Sequence, residues 1–140
     1  MRSAARTPFA IWAAAWLGGP VLGIANGTLR QVVYARRLGE LRAHQVSTVT
    51  LAAALTGYVR AVDRRWPIAT GRDAALIGAG WTASTVAFEF GFGHYVAKEP
   101  WRKLLRDYDV SAGRIWGLVL LSIAAAPALA RRRRLASGEP

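Results

Sequence analysis

The sequence predicts an all-α integral membrane protein. The architecture is a four-helix bundle with a short amphipathic interfacial helix between helices three and four. Three observations carry this reading. The chain has 140 residues, of which 53% are hydrophobic, enough for one small bundle. Its formal net charge is nevertheless +11. The charges are segregated: none lies between Arg6 and Arg30, Arg42 and Arg60, Asp73 and Glu89, or Arg114 and Arg131. Charge-poor runs separated by basic clusters predict membrane spans at residues 8–27, 45–62, 74–93 and 113–130. They form one domain over residues 1–134, followed by a short polar tail at 135–140. Several of the runs lie near the lower limit of about 17 residues for a spanning helix.

The first span carries Gly19, Gly23 and Gly27, one glycine every fourth residue. On a helix these share a face and predict close approach of a neighbouring backbone. Arg2 and Arg6 followed by an apolar run also fit a signal peptide ending before Asn26. The length of the run and the three spans after it favour an uncleaved helix. The second span places Ser47, Thr50, Ala54 and Gly57 on one side, and the fourth opens with the small pair Gly113 and Gly117. These read as packing faces.

Between the spans, Leu29, Val32, Val33, Arg36 and Arg37 suggest a weak surface helix before Gly39. Residues 63–73, with Trp66-Pro67 and Gly71, read as a loop. After Pro100, Trp101, Leu104, Leu105 and Tyr108 recur at helical spacing, with Arg102, Lys103, Arg106 and Asp107 mostly on the other side. That pattern suits a short helix lying on a membrane surface. Arg131 to Arg134 read as a basic anchor.

High basicity raises the question of nucleic acid. The arginines cluster at the ends of apolar runs, where they meet lipid headgroups, so the reading is membrane lipid and no nucleic acid. The chain has no cysteine, which excludes disulfides and thiolate chemistry. Lysines and arginines divide almost evenly between the two sides of a four-span arrangement, so the positive-inside rule scarcely orients it. The arginine tail favours cytoplasmic termini.

An up-and-down bundle gathers polar residues at one membrane face. The end of span one brings Asn26 and Arg30, and the start of span two brings His44, Gln45 and Ser47. Glu89 and His94 come from the end of span three, and Arg114 from the start of span four. Gly78, Thr82, Thr85 and Glu89 form a narrow stripe on one side of the third helix. Both threonines could instead bond to carbonyls of their own helix. His94 follows Glu89 by five residues and points elsewhere unless Gly91 and Gly93 bend the chain. An intramembrane carboxylate is costly and faces a partner or a water-filled cavity. Glu89 reads either as an ion-pair partner of Arg30 or Arg114, or as a proton- or cation-binding carboxylate with Thr82 and Thr85 lining its path. A metal held by His44, His94 and Glu89, or a bis-histidine haem, lacks supporting spacing. No nucleophile motif supports an enzyme, and the sequence leaves the identity of any cofactor open.

The stretches "NGTLR" (26–30), "AHQVST" (43–48), "FEFGFGHYV" (88–96) and "LLRDYDVSAGRIW" (104–116) resemble a group of small four-span bacterial inner-membrane proteins. The resemblance spans most of the chain, implies a bacterial inner-membrane location, and implies no activity. Small multidrug transporters share the size and span number, but their glutamate belongs in the first helix, which here has none. Fluoride channels share the size and phenylalanines, but their Gly-Arg-Tyr and threonine-rich stretches are absent.

The expectation is a membrane protein that binds, and in one version transports, a small ligand or ion at the polar face. Glu89, Arg30, Arg114, His44, Asn26, Gln45, Thr85 and His94 would form that site. The competing expectation is an accessory or assembly subunit. Either role suits a homo-oligomer or a component of a larger membrane complex.

Overall fold

The computed structural model describes residues 6–139, and they are all-helical, without strands. The helices are α1 (Phe9–Ala15), α2 (Gly18–Leu29), α3 (Ala35–Leu38), α4 (Glu40–Arg65), α5 (Gly71–Gly91), α6 (Trp101–Arg106) and α7 (Gly117–Ala136). The expectations for Arg2 and for the final residue fall outside the described residues.

Four long helical segments overlie the four apolar runs, but their bounds differ from the sequence reading. The first does not stop near Gly27. It continues through a π-helical turn, Arg30–Tyr34, to Leu38. There Gly39, at φ +79°, allows the chain to reverse into α4. The weak surface helix expected before Gly39 is thus the tail of the first helix. α1 and α2 are separated because Pro20 supplies no N–H and its ring crowds the Trp16 carbonyl. That carbonyl accepts instead from Gly19 N, at 2.9 Å. The loop expected over 63–73 shrinks to 66–70. α4 runs to Arg65, and Trp66 before Pro67 turns extended and ends it. Thr70 then caps α5, accepting from Asp73 N.

Among the described residues, one helical run, Phe9–Leu38, is both long and apolar enough to cross a membrane, and it lies near the N-terminus. The other long helices fall short of that measure by composition.

The chain alternates direction, yet sequence neighbours are not all spatial neighbours. α7 packs against both α4 and α5, α2 against α4, and α1 against α5. α4 and α7 therefore run parallel, side by side. The core is built from Leu51, Leu55 and Val59 of α4, Ile77 and Trp81 of α5, and Val119, Ile123 and Ala126 of α7, with Trp12 of α1 inserted. Trp12 and Trp81 lie 5.7 Å apart, and Tyr58 stands 6.3 Å from Trp81. Each aromatic also ties a polar tip to backbone. Trp81 Nε1 donates to Trp12 O, Tyr58 Oη to Ala15 O, and Trp12 Nε1 to Trp66 O. This satisfies buried donors where apolar bodies fill space.

The small-residue faces are largely not packing faces. A methyl group built on Gly23, Gly27, Gly57 or Gly117 meets nothing within 4 Å. Thr50, Ala54 and Gly57 are exposed, because α4 buries the neighbouring stripe Thr48, Leu51, Leu55, Val59. The close approach falls at Gly78, where a side chain would overlap the Ala124 carbonyl of α7. There glycine is required to bring two backbones together.

At the end of the bundle near the termini, Asp63 and Arg134 form a buried ion pair of 2.8 Å. Ile68 closes the ring, its N–H donating to Asp63 Oδ1 and its carbonyl accepting from Arg134. Thr7 Oγ1 donates to Asp73 and accepts from Ala69 N, and Arg131 donates to Ala69 O. The arginine run is thus a bundle closure as well as a charged tail. The tail is also held: α7 continues to Ala136, and Glu139 pairs with Arg64 at 2.9 Å.

Two outcomes follow for stability in detergent. Asp63→Ala, which strands the Arg134 charge, should cost about 3–5 kcal/mol, while the double change Asp63→Leu with Arg134→Met should recover most of it. Denaturant unfolding followed by circular dichroism measures both. In the same assay Gly78→Val should cost at least about 1–3 kcal/mol through overpacking, while Gly23→Ala should be neutral or slightly stabilising.

Candidate functional site

At the opposite end, four helix ends meet as the alternation of apolar runs requires. Asn26 Nδ2 donates to the backbone carbonyl and the hydroxyl of Ser47, at 2.9 and 2.6 Å, tying α2 to α4. Gln45 Nε2 donates to Gly113 O at 2.8 Å, tying α4 to the turn before α7. Gly113 sits at φ +78°, a left-handed position that closes the Val110–Ala112 turn and turns its carbonyl towards Gln45. Asn26 and Gln45 are therefore assembly residues of this end.

Glu89 occupies the last turn of α5. Its carboxylate accepts from Tyr108 Oη at 2.6 Å and from Trp116 Nε1 at 3.2 Å. No ion pair reaches it among the described residues, so the expected bridge to Arg30 or Arg114 is not formed. Arg114, largely buried, instead lies 3.2 Å from Glu40 and 3.7 Å from Asp107. Glu40 stands four residues before His44, a spacing too common to mark it as a site residue from sequence. Its partner here is across the bundle, and hydrogen bonding and attraction by Arg114 hold its carboxyl below the usual range. Burial, then the neighbouring Glu89 carboxylate, pushes Tyr108 above the ordinary phenol range. Tyr108 therefore stays protonated and donating at any physiological pH.

The stripe on α5 bonds largely to its own helix, and its Thr85 and Glu89 also border a cavity of about 220 Å³. Thr82 and Thr85 each bond to a carbonyl of their own helix, Gly78 and Trp81, and Thr85 also accepts from Trp16 Nε1. His94 lies in a π-helical turn, Phe92–Val96, that follows α5, and it makes no hydrogen bond to Glu89. Its ring stacks on Trp101 at 3.8 Å and its Nδ1 contacts Glu99 O at 2.9 Å. The stack continues from Trp101 to Phe90 and from Phe90 to Tyr108. The face of α6 expected to lie on a membrane thus docks partly on this turn through Trp101, Leu104 and Tyr108, leaving Leu105 exposed. Among the described residues no group of three or more histidines and carboxylates could hold a metal.

What the end does form is a basic basin of about 600 Å³. Arg30 and Arg36 from the first helical segment, Lys103 and Arg106 from α6, and Arg114 line it, with Glu40, Asp107 and His44. Five cations face two carboxylates. Arg30 and Arg36 have no ion pair among the described residues. His44 is 9% exposed, and its Nδ1 is buried without a hydrogen-bond partner among the described residues. His44 also lines an adjoining cavity of about 190 Å³ with Asn26, Arg30 and Ser47. The sequence reading placed Arg30, Arg114 and His44 at this end but missed Arg36 and Arg106. Continuing helix one past Gly27 would have brought Arg36 in.

Comparisons of the chain with protein-family models, curated proteins and solved structures give no match.

The Tyr108–Glu89–Trp116 arrangement should hold the 97–112 segment against the bundle. Tyr108→Phe leaves the carboxylate one donor short, at a cost of about 1–3 kcal/mol. Limited proteolysis should then cut within 97–112 faster than in the unaltered protein, with α4 and α7 still intact.

Proposed function

We propose that the chain is a four-span inner-membrane protein that binds a small anionic ligand at the polar end of its bundle. It would belong with the small inner-membrane proteins that its sequence resembles. Support for the membrane comes from where the large apolar residues point. Val21, Ile24, Val32, Val49, Leu76, Phe92, Leu121 and Leu129 all lie exposed, while Asp63, Arg134, Ser47 and Thr48 lie inside. Such outward-facing apolar surface on all four long segments is what a lipid solvent favours.

The observation that carries the ligand is the basin of arginines with an unpartnered buried histidine. Arg30 and Arg36 offer guanidinium groups free for bidentate contact with a phosphate or carboxylate. His44 adds a nitrogen able to donate or accept. Arg114, fixed by Glu40 and Asp107, sets the basin's wall. Glu89 holds Trp116 and Tyr108 in place beside it rather than sensing charge directly. Trp12, Trp81 and Tyr58 pack together in the bundle core, which supports the binding reading over a conducting path. The exposed faces of α2 equally suit a partner helix, which keeps a subunit role in a homo-oligomer or larger complex as the second reading.

The ligand test uses the purified full chain and inorganic phosphate. Binding should be measurable by calorimetry and should weaken by about tenfold in Arg30→Gln, the loss of one charge-assisted contact. No binding by the unaltered protein would end the proposal.

The topology test exploits the lack of cysteine. Single cysteines at positions 39 and 98 should label from the periplasmic side of whole cells, and those at 70 and 138 only after the membrane is opened. Labelling of all four from one side would exclude four spans.

A further inference from the structure

The basin does not end at its polar rim. A groove of about 220 Å³ adjoins the small polar cavity beside it and follows α2, lined by Gly19, Gly23, Ile24, Leu51 and Phe88, with Thr85 and Glu89 also on its wall. Gly23 and Trp116 border both this groove and the small polar cavity shared with Arg30 and His44. The groove is overwhelmingly apolar and smaller than the roughly 300–1,000 Å³ of a site for a compact drug-sized molecule. It suits a stretch of one hydrocarbon chain.

The glycines at 19, 23 and 27 explain the continuity. They predicted a seat for another helix, yet side-chain space beyond Gly23 and Gly27 is open. The stripe floors a track between an apolar slot and a cationic basin.

We infer that the ligand is an anionic phospholipid. Its phosphate sits among Arg30, Arg36 and His44, and part of one acyl chain lies along the Gly19–Gly23 groove. The inference rests on the anion-site reading and names its ligand class. Charge selects the headgroup: the basin's excess of cations repels a bare amine and favours a phosphate without a compensating cation. The exposed apolar faces of α2 would place the groove's mouth in the hydrocarbon region, where such a chain is supplied.

The test compares dioleoyl phosphatidylglycerol, dioleoyl phosphatidylcholine and glycerol 3-phosphate. Lipid retention is read by native mass spectrometry of the full chain in mild detergent, and glycerol 3-phosphate binding by calorimetry. Phosphatidylglycerol should be retained one per chain in preference to phosphatidylcholine. Gly19→Leu, at a position that borders the groove and not the polar cavity, should weaken phosphatidylglycerol retention by at least about tenfold, the contribution of a few buried methylenes, without altering glycerol 3-phosphate binding. Ile24→Trp, at an exposed position on the groove's edge, should do the same and serves if Gly19→Leu does not fold. Arg30→Gln should weaken both ligands. Equal retention of the two lipids would overturn the anionic headgroup. Unchanged phosphatidylglycerol retention in folded Gly19→Leu and Ile24→Trp, with glycerol 3-phosphate still bound, would overturn the acyl track and leave a site for free anions. Absence of any binding by the unaltered protein would overturn the anion site itself.

Discussion

Asp63 and Arg134 meet at 2.8 Å where α4 and α7 run out, and both are almost wholly shielded. Taking two charges out of water is expensive, and their attraction repays it only when the remaining donors and acceptors are satisfied. Here the Ile68 backbone does that, giving its N–H to the carboxylate and its carbonyl to the guanidinium. The requirement reaches far. It fixes the depth of α4 against α7, pulls the 66–70 turn over the bundle end, and brings Ala69 within reach of Thr7 and Arg131. The start of the first helix is thereby tied to the end of the last.

The other end is built on the opposite plan. Its helices are joined by neutral bonds, Asn26 to Ser47 and Gln45 to Gly113, by the carboxylate of Glu89 accepting from two aromatic side chains, and by the more exposed ion pair of Arg114 with Glu40. Its cations are left to line a basin. One end uses its charges to close the bundle, and the other leaves Arg30 and Arg36 without an ion pair among the described residues, beside the paired Lys103, Arg106 and Arg114. In the membrane reading, that asymmetry gives the molecule a rigid base and a receptive face. The aromatic stack from His94 to Tyr108 positions the segment that brings Lys103 and Arg106 to the basin wall.

Much of this layout is legible in the sequence, and the failures have physical causes. The four runs, their alternation and the gathering of Asn26, Arg30, His44, Gln45, Glu89 and Arg114 at one end follow from charge segregation alone. Partners within that end do not, because a glutamate near two arginines is equally near a tyrosine and a tryptophan. Spacing carries no preference among them. Glycine periodicity misled: it marks where a backbone can approach, and only packing decides between Gly78, which is filled by α7, and Gly23, which is left open. Arg134 could have been found. It continues the inward stripe Val119, Ile123, Ala126, Ala130 by four residues, and Asp63 likewise continues Leu51, Leu55, Val59. Reading the arginine run as an anchor hid that periodicity.

The central claim, a locked base beneath a receptive basic face, is tested most directly by amide hydrogen exchange in lipid nanodiscs with and without glycerol 3-phosphate. The account predicts slow exchange in the hydrogen-bonded ends of α4 and α7, around 59–65 and 126–134, unchanged by the ligand. It also predicts that protection over 30–44 and 98–114 rises when the ligand is added. Fast exchange in the Asp63 and Arg134 segments, or a ligand response confined to that end, would contradict it.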